Sequence, residues 1–321
     1  LIYFIGQRLY SRKVGLLAAA FSALSVLNIQ VSHFYAVDTF ANLFILGSIY
    51  CLLRASSSGR WISYALTGLV FGMGLASKLS TVTLLAPILT ALVVDFLRRR
   101  RSQPMLVAFE QSLVRLLTLF IFAALAFRVL QPVAFTGPTF MNWELNPAWV
   151  EDVLQQQKIL TGTTAEPWVQ QWTGRSFLFP FTNLVVWGLG IPLGLAGFAG
   201  FGLVLYELIK KRKLDHLLPV VFVTATIGYH AMTFIRFMRY FLPVYPFLGL
   251  FAAYGIAWLW RHSKRTAVEK PVDGAPVSRI RRILDQLAGF RSSPRLVFSL
   301  AGLALGGTLL YALAFSAIYS A

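Results

Sequence analysis

The sequence predicts an all-α, polytopic transmembrane helix bundle of about ten spans. Of its 321 residues, 57% are hydrophobic, and the mean hydropathy is +0.67. Soluble domains are typically about 45–50% apolar. Apolar runs of about 17–25 residues, long enough to cross a bilayer as helices, recur along the chain. A transmembrane β-barrel would need strands of about 10 residues with alternating polarity, and the sequence contains no such alternation.

The apolar runs indicate one transmembrane domain over 1–321. Two connections are long, an extracytoplasmic loop at 131–179 and a cytoplasmic loop at 261–295. The chain begins inside an apolar run, so we expect a helix and a loop to precede it. The predicted spans are 1–8 (part of a span), 15–32, 39–54, 61–77, 80–97, 106–130, 180–208, 216–234, 240–260 and 296–318.

The distribution of basic residues predicts which loops face the cytoplasm. Of the 29 Lys and Arg residues, 22 lie in one set of alternate loops and 6 in the other, while Arg115 lies within a span. Loops rich in Lys and Arg remain cytoplasmic, so the first set is predicted to be cytoplasmic, in an inner or plasma membrane. Topology thus accounts for the net charge of +17, and no basic groove with interleaved aromatic residues indicates nucleic-acid binding.

The cytoplasmic loop at 261–295 contains a predicted amphipathic helix. In "SRIRRILDQLAGF", apolar residues follow Ser278 at helical spacing, and Ser278 can cap the helix. Arg279, Arg281 and Arg282 crowd the same turn. Such a helix binds the anionic cytoplasmic leaflet, and binding to a partner protein is the alternative.

The extracytoplasmic loop at 131–179 is rich in Pro, Gly and Trp. A loop of this length is usually functional or disordered, and its tryptophans argue against disorder. A helix is predicted at 147–160, with Asn146 as its cap and Pro147 in its first position. Tryptophans pack at the membrane interface or form a platform for a ligand. The loop contains Trp143, Trp149, Trp168 and Trp172.

The predicted topology leaves few carboxylates on the extracytoplasmic side. Most of the others, such as Asp95, Glu207 and Asp215, fall at cytoplasmic helix ends or in basic loops, where we expect them to be solvated charge partners. The extracytoplasmic carboxylates are Asp38, Glu144, Glu151, Asp152 and Glu166.

Asp38, in "SHFYAVDTF", lies at the membrane boundary just before an apolar run. It is either a helix cap or first-turn acid, or a carboxylate in a pocket that meets substrate or metal. His33 and Tyr35 lie in the same short loop. A lone His–Asp pair is a weak metal signal, since sites usually need three or four ligands. No metal site is predicted, although a divalent metal is compatible with the pattern.

Three cations also lie on the side that the positive-inside rule disfavours. Lys78 follows "LAS", while Arg236 and Arg239 stand in "FIRFMRYFLPVYP". Phosphate or carboxylate groups would pair with them, and the forked guanidinium suits phosphate well. The alternative is that the three side chains extend to the membrane interface. His230, in "GYHAMTF", is expected to be a hydrogen-bonded core residue.

Several stretches resemble the GT-C glycosyltransferases, closest to protein O-mannosyltransferases and aminoarabinose transferase. "RLYSRKVGLLAAAFSALSVLNIQVSHFYAVDTFANLF" is similar to the family's basic cytoplasmic turn, helix and short loop with an Asp. "GLASKLSTVTLLAP" resembles its Gly-rich helix ending in Lys, and "RYFLPVYPFL" its Arg-Tyr-x-x-Pro-x-x-Pro loop. The resemblance implies a membrane enzyme that moves a sugar, with inversion, from a polyprenyl-phosphate donor to an extracytoplasmic acceptor.

The resemblance also implies roles for individual residues. Asp38 matches the family's second acidic position, and Lys78, Arg236 and Arg239 would hold the lipid phosphate. The family's principal catalytic acid belongs to the loop before the helix in which this chain begins, so it is expected upstream of Leu1. The candidate substrate-binding residues are His33, Tyr35, Glu144, Asp152, Trp172, Arg175 and Tyr240.

Two other functions remain open from the sequence. One is a non-catalytic membrane subunit of a larger complex, which is favoured because the family's first loop is missing from this sequence. The other is a lipid or solute transporter, which would more often show related halves or charges near the bilayer midplane. The predicted partners are the bilayer and a polyprenyl-phosphate-linked sugar, with no certain cofactor.

Overall fold

The computed structural model describes residues 1–137, 139–176, 178–266 and 294–320. Across these residues, regular secondary structure is helical, apart from an isolated antiparallel bridge between Phe135 and Leu145. The predicted all-α class is therefore confirmed. The α-helices are α1 (Ile2–Leu9), α2 (Arg12–Ala23), α3 (Val26–His33), α4 (Val37–Ser58), α5 (Trp61–Ser77), α6 (Leu85–Arg100), α7 (Met105–Leu130), α8 (Pro147–Thr161), α9 (Pro167–Gln170), α10 (Phe179–Asn183), α11 (Ile191–Lys211), α12 (Leu217–Met232), α13 (Tyr245–Thr266) and α14 (Pro294–Ser320).

Six helical segments in the described part of the chain are long and apolar enough to cross a membrane. Helices α2 and α3, bent by 55°, add a seventh if they form one span. The prediction of about ten spans is not confirmed, because α1, α5 and α12 have 8, 17 and 16 residues. The six segments are Val37–Ser58, Leu79–Arg100, Met105–Leu130, Ile191–Lys211, Met238–His262 and Phe298–Ile318.

Helix α5 lies against both α4 and α7. Glycines of α5 let its backbone approach that of α7 closely. A Cβ on Gly68 would lie 2.0 Å from the carbonyl oxygen of Leu119, and one on Gly72 would lie 2.2 Å from that of Ala123. This spacing of small residues lets two membrane helices approach backbone to backbone. The contact fixes the end of α5, and therefore the position of Lys78.

Helix α13 is the central helix of the bundle. Of its candidate span, 67% is buried, against 22% for α7 and 17% for α14. It packs on α2 and α11, and a Cβ on Gly200 of α11 would lie 2.2 Å from the carbonyl oxygen of Phe251. A short 3-10 segment, Met238–Val244, leads directly into α13. The rigid packing of α13 therefore anchors the residues that precede it.

The loops between α4 and α5, between α6 and α7 and between α11 and α12 meet at one end of the bundle, here called the basic end. Arg98 Nη1 donates to the Ser56 carbonyl at 3.3 Å, and Arg115 Nη2 donates to the Gly59 carbonyl at 3.1 Å. Because α4 ends here at Ser58, its first turn at Val37 lies at the other end of the bundle, here called the opposite end. The amphipathic helix predicted after Ser278 lies outside the described residues.

Two carboxylates of the basic end are buried, so the expectation that they are solvated is wrong. Asp95 is 5% exposed and Glu207 is fully buried, whereas Asp215 is exposed as expected. Asp95 accepts from Arg99 Nε at 3.0 Å and also from Arg115. A buried charge is stable only when donors surround it, and here Arg99 supplies one from the same helix while Arg115 supplies another from α7.

The long segment at 131–179 is folded where it is described. Its predicted helix is confirmed as α8, whose first turn is capped by the Asn146 side chain, which accepts from the Ala148 amide at 3.1 Å. Arg128, at the end of α7, donates to the carbonyls of Asn142 and Thr139 at 3.2 and 2.5 Å. The segment is thus held against the opposite end of the bundle.

Candidate functional site

Asp38 and Lys78 form a buried ion pair at the opposite end. Asp38 is the second residue of α4, where the positive end of the helix dipole favours a carboxylate, and it is 5% exposed. Lys78 directly follows Ser77, the last residue of α5, and its ammonium group bonds to the Asp38 carboxylate. Asp38 is therefore a first-turn acid rather than a cap, since the N-cap position is Ala36.

Tyr240 places an aromatic ring beside this ion pair. It belongs to the 3-10 segment Met238–Val244, and Lys78 Nζ lies 5.0 Å from the centre of its ring. The imidazole of His230 stacks on the same ring, with 5.6 Å between ring centres. His230 is 3% exposed, so the prediction of a core position is confirmed, but its Nδ1 has no hydrogen-bond partner in the described structure. The prediction that it is hydrogen-bonded is therefore not met at Nδ1.

The two arginines of this stretch have different surroundings. Arg239 is exposed, and its guanidinium lies 5.7 Å from the ring centre of Tyr240 and 5.4 Å from that of Phe237. Arg236 instead donates to three carbonyls, those of Thr233 at 2.9 Å, Arg175 at 3.3 Å and Ser176 at 3.4 Å. Arg239 thus presents a charge to solvent, while Arg236 ties two segments of the chain together.

Trp172 and Arg175 bring the long segment to the same place. Trp172 is 9% exposed and packs edge-on against Phe237, with 4.9 Å between ring centres. Arg175 lies over the ring of Phe179 at 4.8 Å, and its carbonyl accepts from Arg236. The structure therefore groups Trp172, Arg175 and Arg236 next to the segment that carries Arg239 and Tyr240.

Four other predicted residues are exposed and make no hydrogen bond, ion pair or ring contact with the described residues of this group. Glu144 and Asp152 are exposed, and Glu144 accepts a hydrogen bond from Thr136 at 3.0 Å. Tyr35 is 84% exposed with a φ of +49°. His33, at the end of α3, is exposed and bonds through Nδ1 to the Ile29 carbonyl at 2.7 Å. Their roles in substrate binding remain predictions.

Phe237 and His230 were not assigned to the site from the sequence, although both touch it. Phe237 contacts Trp172 and Arg239, and His230 supports Tyr240. The available signal was position alone, since Phe237 stands between Arg236 and Arg239. Among the described residues, no group of three or more His, Cys, Asp and Glu side chains could hold a metal ion.

Comparison with known proteins gives one family match. Residues 1–127, less than half of the chain, match the family of dolichyl-phosphate-mannose-protein mannosyltransferases. None of the curated proteins matches the chain. The matched range includes α3, α4 and α5, and therefore both Asp38 and Lys78.

Two solved structures show a related fold. The archaeal oligosaccharyltransferase AglB from Archaeoglobus fulgidus, in complex with an inhibitory peptide and a dolichol-phosphate, aligns with a TM-score of 0.52 at 14% identity. A crystal structure of the Archaeoglobus fulgidus oligosaccharyltransferase in complex with Zn and sulfate aligns with a TM-score of 0.52 at 17% identity. The alignments cover 96% and 98% of this chain but 43% and 39% of those proteins. Likeness at this level of identity shows a shared fold.

Proposed function

We propose that this chain, whose family match and fold support membership of the GT-C superfamily, is the membrane domain of a glycosyltransferase. In this proposal it transfers a sugar from a polyprenyl-phosphate donor to an acceptor at the extracytoplasmic face. The observation that carries the proposal is the meeting of Asp38, Lys78, Tyr240 and Arg239 at the end away from the basic loops.

The cations of the site suit a lipid phosphate. Lys78 is half-buried and has Asp38 as its ion-pair partner, so a bound phosphate would compete with Asp38 for the ammonium group. Arg239 is exposed and has no hydrogen-bond or ion-pair partner among the described residues, so its guanidinium donors are available to a ligand. The related oligosaccharyltransferase has a dolichol-phosphate bound, which supports a polyprenyl-phosphate donor here.

In the proposed reaction, an acceptor hydroxyl attacks the anomeric carbon of the donor sugar. A new carbon–oxygen bond forms while the bond to the phosphate oxygen breaks on the opposite face, so the configuration inverts. The phosphate leaves with the electron pair, and Lys78 and Arg239 stabilise the charge that develops on it. A carboxylate takes the acceptor proton, and Asp38, released when Lys78 turns to the phosphate, is the proposed recipient in this chain.

The described residues do not fit a resident metal site. No cluster of three potential ligands exists among them, and the carboxylate of Asp38 is engaged by Lys78. The related structure with Zn keeps a divalent metal open as a question for the whole protein.

A transfer assay tests the function. Membrane vesicles that contain the full-length protein would receive a radiolabelled polyprenyl-phosphate sugar, at matched expression of wild type, Asp38→Asn and Lys78→Gln. Transfer should fall by about 10²-fold or more in both variants, as for loss of a proton acceptor or of leaving-group stabilisation. Lys210→Gln, an exposed lysine of the basic end, is the matched control and should transfer normally. Unchanged transfer in both site variants would contradict the proposed site.

A further inference from the structure

A cavity of about 510 Å³ lies between the first four helices at the opposite end. Its volume is in the range of about 300–1,000 Å³ that is usual for small-ligand sites. Much of the lining is apolar, but a set of uncharged polar side chains faces the cavity from α2, α3 and α4. The polar residues of the lining are Ser22, Asn28, Ser32, His33, Thr39 and Asn42.

The cavity adjoins the charged group described above. Thr39 directly follows Asp38 in α4, and Asn42 lies one helical turn further along the same helix. Leu242, which also lines the cavity, belongs to the 3-10 segment that carries Arg239 and Tyr240. The cavity and the charged group therefore share the same two structural elements.

Two polar atoms next to the cavity are buried without a partner. Thr39 Oγ1 and Asn42 Oδ1 are shielded from solvent and make no hydrogen bond in the described structure. Buried polar atoms are nearly always hydrogen-bonded, and each exception calls for a reason. Both residues line the cavity, so a ligand there lies next to the side chains that carry these atoms. Ligand binding would then supply the missing hydrogen bonds.

The chemistry of the lining indicates the class of ligand. No Asp, Glu, Lys or Arg lines the cavity, so it does not select a charged group. Hydroxyl and amide groups, together with the aromatic ring of Tyr3, match a neutral molecule that carries several hydroxyl groups and an apolar face. A sugar has this character. In a polyprenyl-phosphate sugar, the sugar is bonded to the phosphate and must lie beside the phosphate-binding cations.

We propose that this cavity binds the sugar of the donor and that Thr39 and Asn42 hydrogen-bond its hydroxyl groups. This inference rests on the proposed function, and it adds the residues that select the sugar. Phosphate recognition and sugar recognition are then separate: Lys78 and Arg239 bind the former, and the cavity binds the latter.

The test compares two lipids on the same protein. The purified full-length protein would be titrated with a polyprenyl phosphate and with the same lipid carrying a sugar, for wild type and for the Thr39→Val, Asn42→Leu double variant. Both substitutions approximately conserve volume. The variant should bind the sugar-bearing lipid at least about tenfold more weakly and the bare phosphate within about twofold of wild type. Thr118→Val, a change at a partly exposed position of α7, should alter neither affinity.

A melting curve separates lost recognition from lost folding. Because Thr39 Oγ1 and Asn42 Oδ1 have no partner, removing them should leave the melting temperature unchanged or raise it. Equal weakening of both lipids, or no weakening of either, would overturn the role of the cavity while leaving the phosphate site standing. If wild type bound neither lipid, the proposed function itself would fail, and the sugar site with it.

Discussion

The two ends of the helix bundle treat their buried carboxylates differently. At the basic end, Glu207 is fully buried, and both of its carboxylate oxygens accept hydrogen bonds. Tyr254 donates to one oxygen at 2.5 Å and Trp258 donates to the other at 3.2 Å. Lys211 and Lys213 add ion pairs at 3.0 and 2.9 Å. At the opposite end, Lys78 is the one cation that pairs with Asp38 among the described residues.

This difference separates structural charges from charges that can act on a ligand. The oxygens of Glu207 are occupied by protein donors, so they have little capacity left for a substrate. Asp38 keeps acceptor capacity, and Arg239 nearby has no hydrogen-bond or ion-pair partner within the described residues. Burial alone would rank Glu207 above Asp38 as a functional residue, whereas the count of partners reverses that order.

The largest expected loss of stability comes from removing the carboxylate of Glu207. Glu207→Ala should lower the free energy of unfolding by about 3–5 kcal/mol, because it leaves buried cations and hydroxyls without their carboxylate. Thermal unfolding of the purified protein in detergent measures this loss. Glu110→Ala, an exposed carboxylate on α7, is the matched control and should stay within about 0.5 kcal/mol of wild type. Equal shifts in the two variants would remove the distinction between the ends.

The two arginines near the site should differ in stability. Arg236→Ala removes three hydrogen bonds to carbonyls and should cost about 1–2 kcal/mol, since bonds from a charged donor are stronger than average. Arg239→Ala removes no such bond and should change the unfolding free energy by about 0.5 kcal/mol or less. Denaturant titrations of the two variants side by side give the comparison. A larger loss for Arg239 than for Arg236 would show that their environments have been assigned the wrong way round.

A smaller effect is expected when Asp38 is changed. Asp38→Asn keeps an oxygen that can accept from Lys78, and the Lys78 side chain is 22% exposed, so its ammonium group stays partly hydrated and the loss should be about 1 kcal/mol. The melting temperature should therefore fall only slightly, although sugar transfer should be lost. A destabilisation as large as that of Glu207→Ala would make Asp38 a structural charge.

The smallest effect concerns pH at the basic end. Burial lowers the pKa of His216 below its usual value of 6.5, with Lys213 acting in the same direction and Glu207 opposing both. The unfolded chain therefore binds a proton at a higher pH than the folded protein does. The contribution of His216 to stability is therefore fully present above about pH 6.5. It is lost as the pH drops through that value toward the lower pKa of the folded state.

Melting curves of wild type and His216→Gln between neutral and mildly acidic pH measure this contribution. The wild type should lose more stability on acidification than the variant, because only the wild type carries the buried imidazole. Parallel pH profiles for the two proteins would mean that His216 does not contribute.

Part of this arrangement could be predicted from the sequence because its signals are local. Asn146 before Pro147 predicts the start of α8, and Asp38 before an apolar run predicts a first-turn acid. The joining of Asp38 to Lys78 spans 40 positions and depends on how α4 packs against α5, which no local pattern shows. The distribution of Lys and Arg predicted that both residues lie on the same side of the membrane, but it did not predict that they form an ion pair.

The burial of Glu207 could not be predicted for a related reason. In the sequence it stands among lysines at the end of an apolar helix, which is typical of a solvated partner. Tyr254 and Trp258 cover it from α13, and that contact exists because glycines bring α11 and α13 together. The predicted count of about ten spans is not confirmed for a different reason, since apolarity alone does not reveal that α1, α5 and α12 are short or that the chain bends by 55° between α2 and α3.

The most direct test of the central claim is the affinity of the purified protein for a polyprenyl phosphate after removal of one arginine from each end. Arg239→Ala removes an exposed cation of the opposite end that makes no hydrogen bond or ion pair with the described residues, and Arg100→Ala removes an exposed cation of the basic end. We expect Arg239→Ala to weaken binding at least about tenfold and Arg100→Ala to leave it within about twofold of wild type. Equal affinities in the two variants, or a loss confined to Arg100→Ala, would contradict a phosphate site at the opposite end.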